Sequence, residues 1–239
     1  MKYPLVRITP SIFLAALVLL AAPVSESQLP NETLHYSINW PSGLSLGEAT
    51  LTAVGSEQVA GQAQPPRMNL KFDIDAGVPG FAVSDRFHAT ASGKFCSSDF
   101  EKATSHGSKK VADSESFDPN TGTVTRGSGD GKSEILGNTC SKDALTFLYF
   151  LRQELTQGRI PPKQTLFFGA PYEITLRSEG TESVKIANKE VETDHLKASV
   201  DGPGSSISFD LFFLQDKART PALVKVPLAL GTFSMELVR

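Results

Sequence analysis

The sequence is poor in the residues that carry most enzyme chemistry. Two cysteines, four histidines, three methionines and one tryptophan occur in 239 residues. His35, His88, His106 and His195 are scattered, with no two in reach of one another along a helix or turn. His-Glu-x-x-His and Cys-x-x-Cys spacings are absent, so no standard transition-metal site is expected. Gly-x-Ser-x-Gly is absent too, which leaves the Asp194-His195 pair without a nucleophile elbow to serve. Basic residues are not in excess: 23 Lys and Arg stand against 26 Asp and Glu. That balance excludes the basic stripe of a nucleic-acid binder. No cofactor motif appears, and no catalytic, metal or cofactor residue is expected.

Long apolar runs are also missing, with one exception at the start. Ile12 to Ala22 is unbroken, preceded by Lys2 and Arg7 and followed by Pro23 and the short side chains of Ser25-Glu26-Ser27. A positive start, an apolar middle and a small-residue end make residues 1–27 a secretory signal peptide, cleaved before Gln28. The run is too short to cross a hydrocarbon core, which takes roughly 20 residues. The alternative is a retained anchor. No cysteine lies near the leader, so lipid attachment at a cleaved N-terminal Cys is excluded. The expected location is periplasmic or extracellular, with no stable membrane span after cleavage.

Cleavage leaves residues 28–239 and removes two basic residues and one acidic residue, moving the formal charge from −3 to −4. Both cysteines, Cys96 and Cys140, are in this part; an even count in an oxidising compartment reads first as a disulfide, with two separate buried thiols as the alternative. Such a bridge would close a loop of about 45 residues, for which chain entropy gives roughly 4 kcal/mol.

Period-2 alternation dominates what is present. Leu34, Tyr36, Ile38 and Trp40 alternate with His35, Ser37 and Asn39; Ala49, Leu51 and Ala53 follow after the Pro41-Ser42-Gly43 turn. Met68, Leu70, Phe72 and Ile74 mark a third strand, and Val83, Asp85, Phe87 and Ala89 a fourth. Residues 94–138 turn polar, with Val111, Asp113, Glu115 and Phe117 on one face of a strand leading into the Asp118–Gly122 turn. This section is expected to be a long polar hairpin projecting past the sheet, with Gly127–Gly131 at its tip. In residues 143–156 the apolar positions Ala144, Phe147, Leu148, Leu151 and Leu155 recur at helical spacing, with Ser141 as the expected N-cap and Gly158 as the stop. The C-terminal third returns to strands, including separate ones at 172–177 and 184–187, and Ser206–Leu214 is apolar on both faces. The fold class is mainly β: a curved, half-barrel-like antiparallel sheet with one packed α-helix, forming a single domain over 28–239.

Several segments resemble one family. These are Glu32-Thr33-Leu34-His35-Tyr36, Gly47-Glu48-Ala49, Asp143 to Arg152, Asp216-Lys217-Ala218-Arg219-Thr220-Pro221, and Gly231 to Leu237. They are similar to the domain of unknown function 3108 family of exported bacterial proteins. The resemblance implies a β-rich periplasmic or envelope domain, broadly similar to the half-barrels that carry lipoproteins. It brings no activity with it.

The remaining chemistry has bland explanations. Gly127-Ser128-Gly129-Asp130-Gly131 could cradle phosphate, but no helix follows it as a P-loop requires. Asp118, Asn120 and Asp130 could offer oxygens to calcium, yet the twelve-residue acidic loop is missing. Asp73 and Asp75 sit on one solvated strand face. Tyr149 and Arg152, three apart on the helix, form either a pocket rim or a hydrogen-bond anchor of helix to sheet. Phe72, Phe87, Phe209 and Phe213 are expected to face the same interior as Phe147. With Tyr149 and Arg152 these form the candidate ligand-binding set. Three readings follow: a groove between sheet and helix for a lipid-like ligand or an envelope protein's apolar segment; a filled interaction module binding partners through 94–138; or a hydrolase built around His195 or His88.

Overall fold

The computed structural model describes residues 30–56, 66–78, 80–129 and 131–238. The expected signal peptide, residues 1–27, and Asp130 of the candidate loops lie outside them. Alternation sets the strands. β1 (Asn31–Asn39), β2 (Ser45–Ser56), β3 (Arg67–Val78) and β4 (Phe81–Ser92) form a meander in which Tyr36, Leu51, Leu70 and Phe87 point inward and Lys71 and His88 outward.

The polar stretch is not a projecting hairpin. It continues the meander as β5 (Ser97–His106), β6 (Lys109–Phe117), β7 (Thr123–Ser128) and β8 (Gly131–Leu136), each paired antiparallel with the strand before it. Period 2 survives there with polar residues on the inner face, which is why composition misleads.

After the short β9 (Lys142–Asp143) comes helix α1 (Ala144–Thr156), then β10 (Gln164–Phe167), β11 (Pro171–Ile186), β12 (Lys189–Gly202), β13 (Ser205–Leu214), β14 (Pro221–Leu228) and β15 (Gly231–Val238). The two strands expected at 172–177 and 184–187 are one long strand, β11, bulged between Ser178 and Gly180. β15 pairs with β1, so one curved sheet of fifteen strands runs from β8 to β9.

The helix N-cap is Asp143 and not Ser141. Its carboxylate accepts from the backbone N–H groups of Leu145 (2.8 Å) and Thr146 (2.9 Å). Ser141 instead accepts from Asn138 N–H at 2.8 Å. Nor is α1 buried along a stripe: Leu145, Thr146, Phe147, Tyr149, Leu151, Arg152 and Leu155 are all buried, because the sheet curls around the helix. Two hydrophobic clusters result. One gathers Tyr36, Leu70, Phe87, Phe100, Leu145 and Tyr149; the other gathers Phe147, Leu151, Leu155, Leu196 and Phe213. β13 contributes Phe212 to the first and Phe213 to the second, as its two apolar faces require.

The two sides of the sheet meet through both backbone and side chains. Ser97 N–H donates to Ser141 O at 3.0 Å, and the rings of Phe117 and Phe167 meet edge to face at 5.8 Å. The Cys96–Cys140 disulfide, with Cα atoms 4.6 Å apart, ties the β4–β5 turn to the segment entering β9.

Candidate ligand-binding cleft at the helix–sheet junction

Asp143 fixes the start of the helix from a fully buried position. Besides the two backbone bonds, its carboxylate accepts from the hydroxyls of Ser97 (2.5 Å) and Thr146 (2.6 Å). Burial raises its pKa, and those bonds oppose the rise. With the first turn pinned, Tyr149 and Arg152 project together toward the start of β1. Arg152 forks onto both oxygens of Glu32, through Nη1 to Oε1 and through Nη2 to Oε2 at 3.1 Å. Its Nε donates to Ala218 O at 2.9 Å. Tyr149 OH donates to Glu32 Oε1 at 2.9 Å, and the Arg152 guanidinium lies 4.8 Å from the Tyr149 ring centre.

Burial alone would lower the Arg152 pKa; the Glu32 carboxylate more than offsets that and raises it. Burial likewise pushes the Tyr149 and Tyr36 phenols up. Tyr36 OH donates to Pro221 O at 3.1 Å, so β1, α1 and the segment between β13 and β14 are joined by one set of bonds. Every segment that carried the family resemblance at Glu32–Tyr36, Asp143–Arg152 and Asp216–Pro221 meets here.

Beside this network lies a cleft of about 440 Å³, lined by the buried Phe95, Tyr149 and Arg152, the half-buried Gln153 and the exposed Thr156 and Lys217. Of the candidate set, Tyr149 and Arg152 line it. Phe72 and Phe87 stack inside the first cluster at 6.2 Å, while Phe147 and Phe213 are buried in the second with Phe209 packed against it. The expected single aromatic interior is thus divided by the helix. Phe95, Gln153, Thr156 and Lys217 were not singled out from the sequence; Glu32 and Lys217 stood in the resembling segments, and that was their only signal.

A second buried polar cluster sits at the seam of the sheet. Asp113 accepts from Arg126 (2.9 Å) and pairs with Lys102 (3.1 Å). Burial would push Asp113 up, but hydrogen bonds from Ser128, Lys102 and Arg126 outweigh it and hold the carboxyl below the ordinary value. Glu115 accepts from Gly169 N–H at 2.8 Å, and burial lifts its pKa to about 7. Gly169 has φ +78°, a conformation that favours glycine, and a Cβ there would displace the Lys102 ammonium from 2.5 Å away. Glu115 Oε2 and Arg126 Nε find no hydrogen-bond partner among the described residues, although the two residues face each other in register. The signal for this cluster was present: Asp113 and Glu115 share a strand face with Phe117.

His106 and His195 are paired with carboxylates, His106 with Asp85 at 2.9 Å. His195 meets Glu182 at Nδ1 and Asp210 at Nε2, both at 3.0 Å, and stacks on Phe212 at 4.3 Å. Neither ring nitrogen is free to take a serine's proton. His88 lies exposed on the outer face, at the edge of an open concavity with Arg86, Glu101 and Lys132. Among the described residues no group of three or more His, Cys, Asp or Glu is placed to hold a metal ion. No described helix is long and apolar enough to cross a membrane.

One curved sheet wrapped on one helix defines the class as β-barrel-like. The solved β-barrel-like protein of domain of unknown function DUF1849 from Brucella abortus superposes with a TM-score of 0.59 at 10% identity, covering 87% of this chain and 95% of that one. The Mycobacterium tuberculosis lipoprotein LppX aligns over 86% of this chain and 84% of that one, also at 10% identity, with a TM-score of 0.27. A search of curated proteins finds no match. The family model described as protein of unknown function (DUF3108) matches residues 34–238. The chain belongs to that family, as its resembling segments led us to expect.

Proposed function

We propose that the protein is an exported, non-enzymatic component of the cell envelope that takes a lipid-like, amphipathic ligand at the mouth between helix and sheet. The cleft over Tyr149 and Arg152 carries this reading. Ring surface on its walls suits an apolar body, and Lys217 at its mouth suits an anionic head; pockets of a few hundred Å³ are the usual size for small ligands. The signal-like leader and the disulfide support an oxidising compartment. Phe72, Phe87, Phe100 and Phe168 stack through the interior, with centroids 5.2 to 6.5 Å apart between neighbours. The ligand therefore binds at the mouth and does not thread the barrel.

The test is native mass spectrometry of protein isolated from its own envelope, followed by titration with a fluorescent fatty acid. Gln153→Trp should fill the cleft and Lys217→Glu should repel the head, each weakening binding about tenfold, a 1.4 kcal/mol effect. A lipid-free protein whose fatty-acid binding ignores both substitutions would sink the reading.

A second reading rests on the outer concavity of about 610 Å³ over β4–β8, which offers a mixed-charge surface to an envelope partner. Four strands of the sheet come from residues 94–138, so deletion would unfold the protein; the useful variant is Lys132→Glu. Partner capture lost in that variant, with lipid binding intact, would favour this reading.

A further inference from the structure

Three neighbouring hairpins at one end of the sheet are built without charge. In register, Asp75 pairs with Glu48, Glu48 with Ser37, and Ser37 with Glu236, so three carboxylates share a row across β3, β2, β1 and β15. Beyond that row, on the side away from the helix–sheet cleft, residues 37–47, 76–84 and 226–235 contain no Asp, Glu, Lys, Arg or His. These three hairpins are neighbours, since the sheet runs β4-β3-β2-β1-β15-β14, and the next hairpin, β12–β13, differs in carrying the exposed Asp201 opposite Ser206. On the flank of this rim Lys225 on β14 stands opposite Asp210, with Lys197 next across β12, and its Nζ lies 4.8 Å from the Phe212 ring centre.

The hairpins expose large apolar side chains: Leu230 (72%), Leu44 (68%), Leu228 (52%), Phe81 (50%) and Val78 (44%). At about 3.3 Å per residue, tips four to five residues past the row stand roughly 15 Å beyond it. Trp40 lies just behind them, edge-on to Phe233 at 4.9 Å. Turns at the opposite end carry Lys94, Asp118, Lys189, Asp216 and Lys217, so the contrast is one of ends and not of turns in general.

We propose that this rim docks into the surface of an anionic lipid bilayer. A row of separate protruding tips presents no continuous face for a rigid partner, but a fluid interface closes around each tip. The uncharged band means that entry removes no ion from water. Trp40 occupies the position that interfacial aromatics favour, behind the apolar tips and ahead of the carboxylate row. The neighbouring β5–β6 turn supplies the matching charge. Phe81 rests against Gly107, where a Cβ would lie 3.2 Å from its ring, and the exposed Lys109 and Lys110 follow directly. Two lysines beside an apolar rim, on a chain of formal charge −3, select for lipid phosphates.

Trp40 is the chain's one tryptophan, so it reports on this rim alone. The purified protein should show a blue shift of its fluorescence, and quenching by brominated acyl chains, on mixing with phosphatidylglycerol vesicles. The effect should be weaker with phosphatidylcholine. Leu44→Asp combined with Leu230→Asp, both exposed and so harmless to folding, should lower partitioning at least about tenfold. Lys109→Glu with Lys110→Glu should remove the preference for phosphatidylglycerol and leave the weaker binding unchanged. Vesicle association that leaves Trp40 unquenched, as insertion of residues 12–22 would, overturns the proposal. So does partitioning indifferent to the leucine substitutions, or lipid-free self-association that those substitutions abolish, which would give the rim to a second copy. None of these readouts involves the cleft, so the two proposals stand or fall separately.

Discussion

The two buried polar clusters are built from the same ingredients and finished differently. Around Arg152, the guanidinium, the Glu32 carboxylate and the Tyr149 hydroxyl are all matched, and the fork of Arg on carboxylate is the strongest form of such a pair. Around Glu115, one carboxylate oxygen and the Arg126 Nε are left without a described partner. The first cluster joins α1 to β1 and to the β13–β14 segment, far apart in sequence. The second lies where the sheet ends meet, closed by Gly169 against Lys102 and Asp113. A satisfied network fixes one geometry, whereas an incomplete one stores a cost that a proton can relieve.

Breaking the satisfied cluster should have the largest effect. Glu32→Ala strips a buried Arg152 of its partner and should destabilise the fold by about 3–5 kcal/mol in denaturant titration. The double variant with Arg152→Met should cost less than the sum of the two single changes, because the uncompensated charge is then gone. Next is the bridge between the regions: replacing Cys96 and Cys140 with serine frees a loop of about 45 residues and should cost about 2–4 kcal/mol.

The incomplete cluster should respond to pH. The Glu115 pKa is about 7 in the folded protein against an ordinary 4.5, so the folded state holds its proton more tightly than the unfolded chain does. Its contribution to stability is full below about pH 4.5 and is lost as the pH rises through 7, on the order of 3 kcal/mol at most. Glu115→Gln should flatten that dependence and leave the variant more stable than the parent at pH 8. A parent whose unfolding midpoint is flat between pH 5 and 8 would contradict the assignment. Tyr149→Phe is the mildest probe: losing one hydrogen bond to Glu32 should cost about 1 kcal/mol, with the helix content unchanged by circular dichroism.

Much of the fold was legible because strands announce themselves. Period-2 alternation located β1 to β4 and β13, and spacing of three and four located α1. The polar segment 94–138 was misjudged as a projecting hairpin because its inward positions include Asp113 and Glu115, which composition reads as solvated. The N-cap was displaced from Ser141 to Asp143 because cap choice depended on a hydroxyl, Ser97, that arrives from β5. The cleft was half legible: Tyr149 and Arg152 were visible as a helical pair, but Glu32 and Ala218 reach them from distances of 120 and 66 residues along the chain. No local pattern encodes a contact of that separation.

The sequence by itself determined that the chain is strand-rich with one helix and which family it belongs to, and it left the pairing of the cysteines open. The first two depend on local periodicity and on short segments read in order. Only the tertiary structure decided that the helix is wrapped and not merely covered, that the aromatic residues split into two clusters, and that Glu115 is buried with an oxygen unpaired. It also decided that three uncharged hairpins share one rim. Each of these depends on how far the sheet curls, and curl is set by the summed twist of many strand pairs, a property of no single segment.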